Sequence, residues 1–389
     1  MTPMMTMQQI IELPEEYEET RRLAEKIAKE RISPGASERD LNRTFPWDTI
    51  RILAEAGLLG LVVSRDHGGF GGGRVCFASV VEEISKACAS TALILVSNAI
   101  VTKAIEIDSG EAVAKKWLPE MLKGQSLGAI AVSEPDCGSN SGAITTRAKK
   151  DGDYYVVNGS KFFITSAGEA NLYLVLVRTD PEKGPQGMST ILIEKDTPGL
   201  SFGNPEDKMG LTSTSTREMS FSDCRVPVRN LVGKEGEGIQ VIGKALVGWG
   251  FFGAAAISVG IAKTAADIAV RHAKERTIAG QPIAVHQAVQ FMITDIILGR
   301  EAAESLLMVC ATKADSSPDV AAINGIKAKL FASEMAVNVT DKAIQVLGGH
   351  GYCRDYVVER LFRDARGLMV HFKTSEWLRQ DIAKAALGL

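Results

Sequence analysis

The spacing of apolar residues changes twice along this chain of 389 residues. In the first and last thirds, apolar residues recur every three or four positions, which is typical of amphipathic helices. In the middle third the period is two, in short runs rich in β-branched residues, which indicates strands separated by turns. The pattern predicts a mostly α, multi-domain α+β protein. Its predicted domains are an N-terminal helical domain at 1–127, a central antiparallel, barrel-like β domain at 128–234 and a C-terminal four-helix bundle at 235–389.

Individual elements follow from the same pattern. Asn158-Gly159 is interpreted as a hairpin turn that precedes a strand ending at Thr165. The other strands are predicted at 154–157, 173–177 and 189–193. The four long helices of the last part are predicted at 238–275, 285–314, 318–347 and 354–386, separated by segments that contain Gly or Pro.

Composition narrows the classes of partner. The chain has 44 Lys and Arg against 47 Asp and Glu, so it has no general attraction for polyphosphate, and we expect no nucleic-acid partner. The most apolar run, 251–262, contains Gly and Ser and is interpreted as a buried segment, not a membrane span. Residues 1–9 lack the basic and apolar regions of a signal peptide. The six cysteines are scattered, without metal-ligand spacing. We expect a cytoplasmic protein without a metal site.

Two segments carry residues suited to binding a polar ring. Ser133-Glu-Pro-Asp-Cys-Gly-Ser139 follows an apolar run, so it predicts a loop with free backbone N–H groups and a hydroxyl at each end. Such a loop can hold a phosphate or the polar edge of a ring, although a simple connection between domains fits it as well. The segment 158–165 ends in two aromatic residues and Thr165, a composition expected for one wall of a planar-ring site.

Six motifs together resemble the acyl-CoA dehydrogenase family of flavoproteins, in the family's order and over residues 15–385. The resemblance implies a helical, a β and a four-helix-bundle domain, FAD as cofactor and an acyl-CoA substrate. It also implies a homotetramer built as a dimer of dimers, with an electron-transfer flavoprotein as acceptor if the reaction is oxidative. The motifs are Ser133-Glu-Pro-x-x-Gly-Ser139, Asn158-Gly-x-Lys-x-x-Ile-Thr165, Asp223-Cys-Arg-Val-Pro227, Glu275-Arg276, Gln345-x-Leu-Gly-Gly-x-Gly351 and Arg363-Asp-Ala-Arg366.

The resemblance also implies positions for the cofactor and the substrate. Ser133 and Thr165 would hydrogen-bond the flavin, and Phe163 would lie against it where many members have Trp. Arg276 would reach FAD across a subunit interface, so the site requires at least a dimer. The implied cofactor residues are Val132, Ser133, Gly138, Ser139, Phe163, Thr165, Arg276, Gln287, Gln345, Gly348, Gly349, Thr374 and Glu376, and the implied substrate residues are Ser139, Gly250, Phe251, Phe372 and Lys373.

The sequence departs from the family at three places. Members commonly have Arg-x-x-Phe-Gly where this chain has Arg276-Thr-Ile-Ala-Gly280, so an aromatic contact to FAD is lost. The catalytic Glu of most members falls at Phe372, and the Glu that other members carry on the first bundle helix falls at Gly250. A positioned base is worth about 100- to 10,000-fold in rate, so the usual mechanism is not assumed.

Three explanations for the missing Glu remain open. His371 or Lys373 could act as the base. The substrate could be cyclic or already unsaturated and lose its proton from a carbon other than Cα, as in relatives that perform a 1,4-elimination, and the aromatic Phe372 favours this explanation. The reaction could instead be redox-neutral, as in relatives that desulfinate a sulfinated acyl-CoA. A non-catalytic scaffold that binds FAD or acyl-CoA is a further alternative.

Overall fold

The computed structural model describes residues 13–389, so the expectation about the first nine residues lies outside the described part of the chain. It begins with a helical domain, as predicted. A π-helical segment, Ala28–Ile32, joins the first two helices, and the fifth helix is buried along nearly its whole length. The helices are α1 (Glu15–Ile27), α2 (Ser33–Asn42), α3 (Trp47–Glu55), α4 (Arg74–Ala87), α5 (Ala89–Asp108) and α6 (Glu111–Leu122).

The central domain is a sheet of eight strands. Most neighbours are antiparallel, as predicted, but β4 runs parallel to both β1, with Gly128 beside Leu172, and β2, with Arg147 beside Arg178. The strands are β1 (Gly128–Ala131), β2 (Arg147–Asp151), β3 (Tyr154–Thr165), β4 (Leu172–Arg178), β5 (Met188–Glu194), β6 (Leu200–Phe202), β7 (Thr216–Pro227) and β8 (Leu231–Val232). Their order is β6-β7-β3-β2-β4-β5-β8, with β1 also on β4. Every residue of β4 and β5 except the last of each is buried, so the core of this domain lies at these two strands.

The predicted hairpin turn at Asn158-Gly159 is wrong. Both residues lie inside β3, where a register shift against β7 marks a bulge. Gly159 has a φ of 136°, and a Cβ there would lie 2.7 Å from the Cα of Thr146. The side chain of Asn158 accepts a hydrogen bond from the N–H of Asp223 at 2.9 Å and so replaces a backbone partner at the bulge. The Asn-Gly pair therefore serves a bulge, a role with the same conformational requirement as a turn.

The C-terminal domain confirms the prediction of a helical bundle. Its helices are α7 (Gly238–Ile242), α8 (Phe251–Glu275), α9 (Gln287–Ser316), α10 (Ala321–Leu347), α11 (Val357–Val370) and α12 (Ser375–Leu387). A π-helical segment, Gly243–Gly250, joins α7 to α8. A short hairpin of β9 (Thr277–Ile278) and β10 (Gln281–Pro282) follows α8. The first three predicted helices are close to their observed positions.

The fourth predicted helix, 354–386, is wrong in one respect, because the structure breaks it into α11 and α12. Phe372 has a φ of 62°, a left-handed conformation that a right-handed helix cannot contain. The N–H of Thr374 donates a hydrogen bond of 3.2 Å to Oγ of Ser139. The break therefore turns the segment 371–374 toward the loop that follows β1.

Two helical segments, Ala89–Asp108 and Gly238–Glu275, are long and apolar enough to span a membrane. The sequence-based interpretation considered only 251–262 and underestimated the second of these. Both segments are mostly buried by the surrounding protein, and a core helix passes the same test of length and composition.

All three domains meet at two neighbouring residues of α11. Arg363 donates hydrogen bonds to the carboxylate of Asp40 on α2, at 2.6 Å, and to the carbonyl of Met209 in the β domain, at 3.0 Å. The carboxylate of Asp364 accepts the N–H of Leu211 at 2.5 Å. Burial raises the pKa of Asp364 to about 6. This junction fixes α11, and with it the segment 371–374, against the other two domains.

Candidate active site

The loop after β1 and the end of β3 form one wall of the candidate site, which we call the flavin wall (residues 132–139 and 161–165). The N–H of Phe162 donates to the carbonyl of Ser133 at 2.8 Å, so the two segments lie side by side. Phe163 has a φ of 56° and its side chain is 59% exposed. A left-handed phenylalanine is uncommon, and here it places an aromatic ring at the surface of the wall.

A buried ion pair lies within the flavin wall. The side chain of Lys161 is 0% exposed, and its Nζ donates to Oε1 of Glu134 at 2.8 Å and to the carbonyl of Val132 at 3.0 Å. Glu134 also accepts the N–H of Thr146 at 2.9 Å, and the N–H and hydroxyl of Thr145 at 2.6 and 2.8 Å. Both charges are therefore surrounded by partners, as buried charges must be.

Both members of this pair are charged at neutral pH. Burial lowers the pKa of Lys161 to about 8, and the attraction of Glu134 only partly opposes this shift. Burial pushes the pKa of Glu134 upward, but the charge of Lys161 and the hydrogen bonds outweigh it and lower the pKa to about 2. The pair is thus intact at pH 7 and contributes no net charge to the wall.

The opposite wall, which we call the base wall, consists of the segment 371–374 and the start of α8. The ring of Phe372 lies 6.3 Å from that of Phe251, with the planes tilted by 31°, and 4.4 Å from the imidazole of His371. Lys329 lies behind the segment with a fully buried side chain, and its Nζ donates to the carbonyls of Lys373, at 2.7 Å, and Met369, at 3.2 Å. Lys329 therefore holds the break between α11 and α12.

Of the two titratable groups of the base wall, His371 is neutral and Lys373 is ion-paired. Burial, with smaller contributions from the charges of Lys329 and Lys208, lowers the pKa of His371 to about 4. The imidazole is therefore neutral at pH 7 and able to accept a proton, although weakly. The ammonium group of Lys373 contacts the carboxylate of Asp381 at 2.6 Å, so it is ion-paired and not the desolvated amine that a lysine base requires.

Gly250, the other position where family members carry Glu, faces an apolar surface. A Cβ there would lie 2.7 Å from Cδ1 of Ile100 on α5 and 3.0 Å from Cδ1 of Leu246. Ile100 is fully buried. The packing of the π-helical segment 243–250 on α5 therefore crowds this position, and a carboxylate side chain there requires the side chains of Ile100 and Leu246 to move.

Five other predicted cofactor residues form a second group at the far end of the bundle, whereas the predicted cofactor residue Glu376 lies exposed in the first turn of α12. The rings of His272 and His350 lie 5.9 Å apart, which brings the end of α8 beside the loop after α10. The predicted residues of this group are all exposed on the single chain, as residues that act across a subunit interface would be. They are Arg276, Gln287, Gln345, Gly348 and Gly349.

Family models match almost the whole described chain. They are the N-terminal domain (residues 14–125), middle domain (129–224) and C-terminal domain (236–387) of acyl-CoA dehydrogenase. The chain belongs to the acyl-CoA dehydrogenase family. It is accordingly an FAD-dependent oxidoreductase of the dehydrogenase type.

The similarity to curated relatives extends over most of this chain and most of each relative. Cyclohex-1-ene-1-carbonyl-CoA dehydrogenase of Syntrophus aciditrophicus is 40% identical over 97% of this chain and 91% of its own. Isobutyryl-CoA dehydrogenase of Dictyostelium discoideum is 39% identical over 91% and 85%. Acryloyl-CoA reductase (NADH) of Anaerotignum propionicum is 38% identical over 96% and 95%.

Solved structures share the whole fold. Butyryl-CoA dehydrogenase of Megasphaera elsdenii has a TM-score of 0.93 at 32% identity and covers 97% of this chain and 99% of its own. A structure from a study of the electron transferring flavoprotein of Acidaminococcus fermentans has a TM-score of 0.94 at 35% identity, with the same coverage. The FAD complex of PigA has a TM-score of 0.92 at 25% identity, also with that coverage.

The flavin wall fits FAD chemically. A buried hydroxyl oxygen without a hydrogen-bond partner among the described residues occurs at Ser166, next to the predicted contact Thr165. Orphaned polar atoms of this kind are expected where a polar group binds. The exposed ring of Phe163 offers a face for the isoalloxazine. When bound, FAD would accept or donate a hydride, while the protein orients it and the substrate.

Sequence reasoning missed three residues that organise the site. Glu134 and Lys161 lie inside two of the motifs, and their presence in both could have suggested a pair. Lys329 lies in α10 between apolar neighbours, and a single lysine in that setting gave no signal. Only the fold shows that its ammonium group faces the carbonyls of the segment 371–374.

Proposed function

We propose that this protein acts on a CoA thioester whose acyl group is cyclic or already unsaturated, by a 1,4-elimination that does not use the usual carboxylate base. The observation that carries this proposal is the environment of the two positions where relatives carry Glu. Phe372 packs against Phe251, and Gly250 packs against Ile100. Neither the segment 371–374 nor the π-helical segment 243–250 contains Asp or Glu.

The chemistry explains why this environment favours such a substrate. In a saturated linear acyl-CoA, the proton leaves Cα to a base and the hydride leaves Cβ to the flavin. In a 1,4-elimination the proton leaves a different carbon, so a carboxylate over Cα would promote the wrong reaction. Replacing that carboxylate by Phe372 removes the competing base and adds a flat apolar surface.

The shape of the base wall and two relatives support a flat acyl group. The rings of Phe251 and Phe372 form a tilted pair, an arrangement that can cover the face of a ring or a conjugated system. One relative is named for cyclohex-1-ene-1-carbonyl-CoA and another for acryloyl-CoA, which are both unsaturated thioesters.

We further propose a homotetramer, a dimer of dimers, and an electron-transfer flavoprotein as acceptor when the reaction is oxidative. Large apolar side chains are exposed on α9 and α10 of the single chain, including Phe291, Leu298 and Phe331, and subunit contacts would cover such residues. The acceptor is supported by the similarity to a structure from a study of an electron transferring flavoprotein.

The direct test is anaerobic mixing of the FAD-loaded protein with linear, branched, cyclic and sulfinated acyl-CoAs while flavin absorbance and products are recorded. We expect bleaching by a cyclic or unsaturated thioester. Bleaching by saturated linear thioesters alone would contradict the proposed substrate class. Product formation from the sulfinated thioester without bleaching would indicate the redox-neutral lyase, and no reaction with any compound would favour a binding scaffold.

His371 is the candidate base. Because burial and the nearby lysines lower its pKa to about 4, its neutral form is present throughout the physiological range. We expect flavin bleaching to be independent of pH above about 5, to fall as the pH decreases through about 4, and to drop by about 100-fold or more in His371→Ala. Unchanged bleaching in His371→Ala, with FAD still bound, would exclude this residue.

A further inference from the structure

We propose that the buried Lys161–Glu134 ion pair is a positioning and potential-setting element, which aligns Ser133 and Thr165 and keeps the protein behind the flavin electrically neutral. The inference rests on the proposed placement of the flavin against the flavin wall. It concerns residues to which the sequence motifs gave no role.

The position of the pair carries the first part of this inference. Lys161 lies two residues before Phe163 and four before Thr165 on β3, and Glu134 directly follows Ser133. The ammonium group also donates to the carbonyl of Val132, so one side chain joins the end of β1 to β3. The pair therefore holds in place the backbone next to Ser133, Phe163 and Thr165, the residues predicted to touch the flavin ring.

The second part follows from the burial of the two charges. The side chains of Lys161 and Glu134 are 0% and 3% exposed, so water screens neither charge. In such surroundings a single uncompensated charge acts much more strongly on a neighbouring group than it would in water. Because reduction adds electrons to the flavin, an unpaired positive charge behind it raises the reduction potential and an unpaired negative charge lowers it.

No other charge in this part of the wall replaces the pair. The loop has two further titratable groups: Asp136, which is exposed to water, and Cys137, a buried thiol whose pKa is raised mainly by burial, so it stays neutral. The other groups that contact the carboxylate of Glu134 are the N–H groups of Thr145 and Thr146 and the hydroxyl of Thr145. At a pH where the remaining group stays ionised, removing one partner leaves the other as a net charge, because loss of Glu134 lowers the pKa of Lys161 and loss of Lys161 raises the pKa of Glu134.

The test compares Lys161→Met, Glu134→Gln and the double variant, each loaded with FAD, by spectroelectrochemical titration of the reduction potential. We expect Lys161→Met, which leaves Glu134 negative, to lower the potential. Glu134→Gln, titrated at a pH low enough to keep Lys161 protonated, should raise it, and the double variant should return close to the wild-type value. Shifts in the same direction for both single variants, or no shift with FAD bound, would overturn the inference.

Two additions keep the test decisive. If Lys161→Met does not retain FAD, Glu134→Gln is compared with the double variant, and the potential must fall from the first to the second. Ser133→Ala and Thr165→Val serve as reporters of the flavin's position. If these two leave the flavin spectrum unchanged, the proposed placement of the flavin is wrong. If they change it while the charge variants do not move the potential, only the role of the ion pair is wrong.

Discussion

Each wall of the site is supported by a fully buried lysine, and the two lysines are stabilised in different ways. Lys161 in the flavin wall is paired with the carboxylate of Glu134, whereas Lys329 behind the base wall donates to two main-chain carbonyls. Burial lowers the pKa of both to about 8. The flavin wall is therefore neutral, and the base wall has a positive charge beside the segment that contains Phe372, the position where the family resemblance implies a Glu.

The comparison also shows where this chain keeps the family's chemistry and where it departs from it. The flavin wall retains the hydroxyls and the aromatic face that a flavin requires. The base wall is supported by Lys329 and presents Phe372 and a weakly basic His371. On the proposed function, cofactor binding is kept while proton removal from the usual carbon is lost.

The largest expected effect comes from restoring a carboxylate in the base wall. In Phe372→Glu we expect the rate of flavin bleaching by saturated linear acyl-CoAs to rise by about 100- to 10,000-fold, because a positioned base supplies that factor. Stopped-flow absorbance under anaerobic conditions measures it.

Phe372→Gln is the matched control, since it removes the ring and adds similar polarity without a base. An equal gain in both variants would show that the ring, not the missing carboxylate, limits the reaction. No gain in Phe372→Glu with FAD bound would mean that residue 372 does not lie over Cα of the thioester.

The two buried lysines should differ in their contributions to stability. Lys161→Met leaves the carboxylate of Glu134 buried and unpaired, and we expect it to lower the free energy of unfolding by about 3–5 kcal/mol. Lys329→Met leaves two carbonyls without a donor, and we expect a loss of about 1–3 kcal/mol. Urea unfolding at a fixed FAD concentration measures both. A larger loss for Lys329→Met would reverse the comparison between the walls.

A smaller effect tests the packing at the second vacated position. Gly250→Ala places a methyl group against the buried side chain of Ile100, and we expect a loss of about 1–3 kcal/mol in the free energy of unfolding. Gly243→Ala in the same π-helical segment meets nothing within 4 Å, and we expect a gain of about 0.5–1 kcal/mol. Equal results would show that α5 does not restrict residue 250.

The spacing of apolar residues was sufficient to predict the three-part fold, because helices and strands that pack on a core require apolar residues at these intervals in any chain of this architecture. It could not predict the break after α11, where a left-handed phenylalanine interrupts an otherwise helical pattern. Asn158-Gly159 was recognised as a backbone exception, but its role depended on the neighbouring strand β7. The motifs indicated the flavin wall, whereas Lys329 became visible only when α10 and the segment 371–374 were placed together.

The meeting of Arg363 and Asp364 with the other two domains has a consequence for how this chain can be divided. These two adjacent residues of α11 form hydrogen bonds with a carboxylate of α2 and with a backbone amide of the β domain. A fragment that ends before residue 235 would lose both contacts at once, and a bundle expressed alone would leave Arg363 with only Glu359 of its own helix and Asp364 without the amide of Leu211. The sequence can be divided into three segments, but in the folded protein each domain supplies hydrogen-bonding groups that its neighbours need.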